Sequence, residues 1–304
     1  MSVLRAIDAR WLAKAPAERL ATVRFLSGAF AVCYFTIRAP VMADFRRAPG
    51  VFSPVGIASV LSAPLPSWLP FAIYLAMLAA GAAFTLGARF RFSGPAFALL
   101  ALWVTSYRNS WGMLFHNDNL LILHLIVLAA CDAAATLSVD ARGRAPVAAA
   151  ERFGWPLRLI SLLTALAYVV AAVAKLKVTG LSWADGEVLR NYIAYDALRK
   201  LQIGSIASPL APYLVQVEWP FAALSVMTLV LELVGPVVLW QPRLALIWAV
   251  GLWAFHLGVL LSMAIAFPYP LSGVAFASLF PCERLWQLGH LGALRRRLFG
   301  AAAA

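Results

Sequence analysis

Charge is what this chain has least of. Only 12% of its 304 residues are Asp, Glu, Lys or Arg, against 63% hydrophobic residues, and the mean hydropathy is +0.83. A soluble domain carries roughly twice that charge on its surface, so the composition excludes a water-soluble protein and implies an integral membrane protein. Acidic residues are scarcer still, 13 against 25 basic ones, for a formal charge of +12. The basic residues sit between apolar runs and at both ends and do not alternate with aromatics along one face. That excludes a nucleic-acid partner and favours anionic membrane lipid. Three widely separated cysteines, Cys33, Cys131 and Cys282, exclude a CxxC redox pair and a disulfide framework. HExxH, P-loop, GxSxG and GxGxxG patterns are absent, and no tandem repeat stands out. The first long apolar run begins near Phe25, after Arg5, Arg10, Lys14, Arg19 and Arg24, so a retained N-terminus is expected in place of a cleaved signal.

What is present is apolar length. A hydrocarbon core of about 30 Å needs about 20 residues of helix, fewer where neighbours shield it. Spans are predicted near 25–41, 69–88, 93–107, 117–136, 159–178, 219–240, 244–264 and 269–282. The fold class is therefore all-α, a polytopic membrane helix bundle of about eight transmembrane helices. Both termini are expected in the cytoplasm, because one side then collects the five N-terminal basic residues, Arg89 and Arg91, Arg142 to Arg158, Arg243, Arg284 and Arg295 to Arg297. The predicted division is an N-terminal interfacial segment, 1–19, a transmembrane domain, 20–286, and a basic tail, 287–304. Leu4, Ile7 and Trp11 recur at helical spacing beside Arg5, Arg10 and Lys14, which reads either as a helix lying on the membrane or as a solvated basic tail. Two connections, 42–68 and 179–218, are too long for simple turns and fall on the outer face. In the second, Val188, Tyr192, Tyr195 and Leu198 share one face of a helical patch from Gly186 to Leu201, as in a helix resting on the membrane plane.

Ionisable groups inside spans cost several kcal/mol unless they reach water or a partner, so they are candidates for function. Lys175 lies seven residues after Tyr168, on roughly the same helical face. Two readings stay open: the lysine snorkels to the headgroups, or it is held within the bundle. Glu232 sits deep in the sixth span and is expected either protonated or paired with a cation or histidine. His256, in WAFHLGV, lies deep in the seventh as an interhelical hydrogen bonder or a proton relay. SYRNSWGMLFHNDNLLILH, residues 106–124, is the richest polar stretch, with His116, Asn117 and Asn119 at the start of the fourth span. It suits either a cavity mouth or a network tying two helix ends. Its two histidines are eight residues apart with no third ligand, so no metal site is predicted.

Four stretches in order, FHNDNLLILH, SVDAR from Ser138, YVVAAVAKL followed by Trp183 and Gly186, and FH at 255–256 with LSGVAFASLFPC after it, carry a resemblance. The chain resembles, over about residues 20–286, the HTTM (horizontally transferred transmembrane) family and the transmembrane part of vitamin K-dependent gamma-glutamyl carboxylase. The resemblance implies a reduced quinone, vitamin K-like or menaquinone-like, with O2 and CO2 as co-substrates. It makes Lys175 the base that deprotonates the quinol, with Ala174 where the carboxylase has a further lysine. An amine in a low-dielectric pocket loses its charge more readily, which suits general-base work. The carboxylase Asn-His pair aligns with FHN only after a shift of register, which leaves His116 as its counterpart. The resemblance does not extend to the carboxylase's large extramembrane substrate-gripping region, so a peptide or protein substrate is implied only by the resemblance.

The reading is a membrane enzyme of the bacterial inner (plasma) membrane. Lys175, His256 and His116 are its candidate catalytic residues. Tyr168, Asn117, Asn119, Trp183 and Glu232 are its candidate quinol-binding residues. A non-catalytic membrane partner, docking a secreted protein or an oxidoreductase through 179–218, is the alternative. A transporter ranks below both, because no inverted repeat or paired broken helix is apparent.

Overall fold

The computed structural model describes residues 11–42, 49–112 and 114–300, and these are mainly helical, with no β-strand among them. The expected interfacial pattern at Leu4 and Ile7 lies outside the described residues. Helices of eight residues or more are numbered α1 (Ala17–Ile37), α2 (Trp68–Leu86), α3 (Phe90–Asn109), α4 (Asn119–Ala129), α5 (Glu151–Thr179), α6 (Glu187–Gln202), α7 (Trp219–Leu233), α8 (Ala245–Met263) and α9 (Gly289–Phe299). Among the described residues four stretches are long and apolar enough to cross a membrane: α1, α2, Glu151–Asp185 and Pro242–Met263. The helices α4 and α7 are apolar but shorter. The chain divides into two compact units, Met1–Ile160 with Ala277–Ala304, and Ser161–Phe276.

In the first unit, α1 begins earlier than hydropathy suggests. Pro16 precedes it in extended conformation, Glu18 lies in its first turn, and Arg19 and Arg24 are drawn inside the helix. Arg24 is fully buried. Its Nη2 donates to Leu137 O at 2.5 Å and its Nη1 to Phe84 O at 3.4 Å, so one carbonyl of a bend and one of the last turn of α2 solvate the guanidinium in place of water. The helix α2 stops at Gly87, whose φ of +63° is open to glycine at little cost. The next helix, α3, is capped from afar, because both Asp140 oxygens accept backbone N–H groups, of Arg89 and Phe90, at 2.8 Å. A Cβ on Gly81 would come within 2.7 Å of the Phe97 ring and 2.9 Å of Val32, so a small residue there lets α1, α2 and α3 close up without lipid between them.

Two expected spans are cut short. The fourth, 117–136, is helical only as α4, and turns follow from Ala130. The eighth, 269–282, is no continuous helix: Pro268–Leu271 forms one turn, Gly273 takes φ +76°, and Val274–Leu279 is a 3-10 segment. Pro268 and Pro270 remove backbone donors, which prevents a longer helix from running through this stretch.

The second unit holds α5 from Ser161 onward, a 3-10 segment Gly180–Asp185, then α6, α7 and α8. Along α7 the polar side chains face in and the apolar ones face out. Ser225, Thr228 and Glu232 are buried with Phe221, while Leu224, Met227 and Val230 are exposed. The helix α8 is two-sided as well, burying Trp248, Leu252 and the one ionisable residue, His256, and exposing Leu246, Ile247 and Val250. Lipid tails are a good solvent for that outer surface and a poor one for the inner groups.

Candidate functional site

The inner face of the second unit gathers polar residues from four elements. Lys175, one turn before the end of α5, donates its ammonium to Glu232 Oε1 on α7. The carboxylate is the deeper partner, its side chain 3% exposed against 21% for the lysine. Two aromatic faces complete the amine's surroundings, with Nζ 5.2 Å from the Trp183 ring centroid and 5.7 Å from that of Phe255. A desolvated cation over an aromatic face gains up to about 2 kcal/mol. The amine therefore turns to a carboxylate and two rings. A buried pair of this kind owes its persistence to geometry, since removing one partner costs about 3–5 kcal/mol.

Trp183 is held over the amine by backbone packing. It lies in the 3-10 segment that ends at Gly186, where φ is +91°. A Cβ there would stand 2.4 Å from Ala222 N and 2.4 Å from Phe221 C, so only glycine lets this segment press against the start of α7. From Phe221 down to Glu232 is about 16 Å of helix at 1.5 Å per residue. The Lys175–Glu232 pair accordingly sits well below the point where the segment is anchored.

Tyr168 and His256 form a second pair, with Tyr168 Oη 2.9 Å from His256 Nε2. Trp248 meets the Tyr168 ring edge-on at 5.9 Å and donates its Nε1–H to Leu231 O at 2.8 Å, which fixes α7 and α8 beneath the pair. Phe267 packs on the imidazole with centroids 4.9 Å apart.

Several buried polar atoms of this unit have no hydrogen-bond partner among the described residues: Trp183 Nε1, Ser225 Oγ, Glu232 Oε2 and His256 Nδ1. Each belongs to a residue at most 6% exposed. Burying an unpartnered polar group costs on the order of 1–3 kcal/mol, so four in one unit mark a place suited to a polar ligand group or bound water. Ser225 is the residue sequence reasoning passed over. Its only signal was a position two helical turns before Glu232.

Tyr168, Lys175, Trp183, Glu232 and His256 thus share one unit. His116, Asn117 and Asn119 lie in the other. There Asn119 N bonds His116 O at 3.1 Å, and the neighbouring Asp118 accepts from Tyr34 Oη at 2.5 Å while Arg38 donates to that same tyrosine oxygen. Asn109 makes a two-bond bridge to the Phe115 backbone, each bond 3.1 Å, holding the turn that carries His116. An open cleft of about 460 Å³ in this unit is lined by Phe90, Arg91, Cys131 and Arg144. Its carboxylates are engaged, Asp140 in capping α3 and Asp132 with Arg152 at 3.7 Å. Among the described residues no three His, Cys, Asp or Glu side chains group to hold a metal ion.

Comparison with known families matches an HTTM domain over residues 14–286. No curated protein and no solved structure matches the chain.

Proposed function

Since the chain belongs to the HTTM family, we propose that it is a membrane enzyme binding a reduced quinone at the Lys175 group, with that lysine as general base. The observation that carries the proposal is the Lys175–Glu232 pair roofed by Trp183 and Phe255, with unpartnered acceptor and donor atoms beside it. Glu232 Oε2 can accept from a ring hydroxyl, Trp183 Nε1 can donate to a ring oxygen, and His256 Nδ1 does either according to its tautomer. This donor set fits a quinol. When bound, such a ring supplies a hydroxyl proton and the two electrons that reduce dioxygen.

The chain's own part is proton handling. Lys175 and Glu232 are in direct contact, so a proton passed from the ammonium to the carboxylate leaves Glu232 storing it and Lys175 presenting a lone pair. Trp183 and Phe255 keep water from the amine. Tyr168 orients His256 through the Oη–Nε2 bond, leaving Nδ1 free to pass a proton. Roles for His116, Asn117 and Asn119, for CO2 and for a peptide or protein acceptor rest on the family resemblance alone. The same proposal includes about eight membrane passages, both termini in the cytoplasm and a bacterial inner-membrane location, on the distribution of basic residues.

The test is oxygen uptake by the protein reconstituted in vesicles with reduced menaquinone or reduced vitamin K. Uptake should disappear in Lys175→Ala and also in Lys175→Arg, whose guanidinium does not give up its proton. Full uptake by Lys175→Ala would refute the assignment. A second reading takes the pair as a structural tie between α5 and α7 in a non-catalytic partner. It is favoured by the direct Lys175–Glu232 contact and expects no uptake in the unaltered protein.

A further inference from the structure

The helix α6 wears its apolar side outward. Its inner face is fastened by charge: Lys200 Nζ reaches Asp196 at 2.7 Å and Met263 O, at the end of α8, at 2.5 Å. Arg199 pairs with Asp196 at 3.0 Å, and Arg190 with Glu218 at 2.8 Å and with Val215 O at 2.8 Å. Past Glu187 in the first turn, whose side chain is 60% exposed, the outward positions carry no charge: Asn191, Tyr192, Tyr195, Leu198, Leu201 and Gln202 are exposed. A solvated helix places its charges the other way round. The chain beyond it, from Leu201 to Val217, also lacks any charged residue, and Ile206 is 82% exposed, Tyr213 71% and Trp219, the first residue of α7, 82%.

We infer that the outward face of α6 and the segment through Trp219 are embedded in the interfacial layer of the bilayer, with phospholipid glycerol and upper acyl chain as the partner. Position within the unit supports lipid over a protein partner. Lys200 and Ser208 tie the segment to Met263 O and Leu261 O at the end of α8, and Trp219 begins α7, so α6 lies at the level where two apolar helices end. Its exposed surface therefore continues the lipid-facing surface of those helices. Tyr192, Tyr195, Tyr213 and Trp219 are the amphipathic rings that settle at headgroup depth, apolar body toward the chains and polar tip toward water. The embedded face also touches the candidate site, because Tyr192 packs on Trp183 with centroids 6.3 Å apart. The inference does not depend on the lysine chemistry.

Photolabelling of the reconstituted full chain tests it without any mutation. The probe is a phospholipid bearing a diazirine high on its acyl chain, in vesicles of phosphatidylethanolamine and phosphatidylglycerol, with labelled peptides mapped by mass spectrometry. A parallel sample is oxidised by hydroxyl radicals in water. Lipid label on Tyr192 to Tyr213 at a density matching the exposed face of α7, with little oxidation, is the expected result. Heavy oxidation without lipid label overturns the inference in favour of an aqueous surface. Protection from both reagents overturns it in favour of a covering protein or second copy. Leu198→Asp with Ile206→Asp should abolish the lipid label in this segment while label on α8 persists. Label retained by that pair would also overturn it.

Discussion

Each of the two units buries a cation among apolar helices, and they do so differently. Arg24 meets backbone: Phe84 O and Leu137 O take its Nη groups, and the Phe90 ring stands 5.7 Å from its Cζ. Lys175 meets a carboxylate, and around it donors and acceptors from the segment carrying Trp183, from α7 and from α8 remain unpartnered. The first arrangement turns the cation to backbone carbonyls and leaves one donor, Arg24 Nε, without a partner among the described residues. The second leaves an acceptor, Glu232 Oε2, idle beside the cation. A ligand hydroxyl needs such an acceptor, so under the proposed function the second arrangement offers a site and the first does not.

Replacing Arg24 should break the fold more than anything at Lys175. Arg24→Ala removes a large fully buried side chain and strands two carbonyls, a loss on the order of 4 kcal/mol or more, read as a steep drop in the thermal midpoint in detergent. At the second cation the expectation splits. Lys175→Ala or Glu232→Ala alone should cost about 3 kcal/mol, because each leaves a buried ionisable group without its partner. Lys175→Met combined with Glu232→Leu should recover most of that stability while quinol-dependent oxygen uptake stays absent. If the double variant is as unstable as the singles, the pair is a structural element like Arg24 and the contrast between the units fails.

How much of this was legible beforehand depended on distance along the chain. Lys175, Glu232 and His256 stood out singly because an ionisable residue within an apolar run is rare. Their convergence did not, since Lys175 and Glu232 are 57 residues apart and Tyr168 and His256 are 88 apart. Arg24 was misjudged for the same reason. Hydropathy treats an arginine as a boundary, while the carbonyl that solvates it comes from Leu137, 113 residues away. Proline and glycine at 268–273 did announce the break within the eighth expected span, but the apolar residues after them outweighed that signal. The helical patch at 186–201 was visible from its face pattern and forms α6, Glu187–Gln202, because local periodicity needs no distant partner.

Gly186 offers a smaller perturbation aimed at the roof of the second site. Gly186→Ala adds a Cβ where Ala222 N and Phe221 C already stand 2.4 Å away, at a φ of +91°. The segment has to shift, at about 1–3 kcal/mol, and Trp183 moves with it. Uptake should fall further than the modest change in thermal midpoint would suggest. Equal effects on both would mean that Trp183 serves packing alone.

The smallest effect belongs to the first unit's surface, at Arg19 and Glu283. The guanidinium holds both carboxylate oxygens, Nε at 2.9 Å and Nη2 at 2.7 Å. Partial burial of Glu283 works against its ionisation, but the Arg19 hydrogen bonds and charge outweigh it and hold the carboxyl below its ordinary 4.5. A carboxyl lowered in the folded state stabilises above its unfolded value, and that contribution fades as the pH falls through the folded one. With side chains 30% and 19% exposed the pair is worth under about 1 kcal/mol. Glu283→Gln should therefore lower the thermal midpoint slightly at neutral pH, and its curve should converge with that of the unaltered protein on acidification below 4.5. A gap that persists at acid pH would show that Glu283 contributes through shape, by seating Trp286 against Thr22 Oγ1 at 2.8 Å, and that charge pairing adds little there.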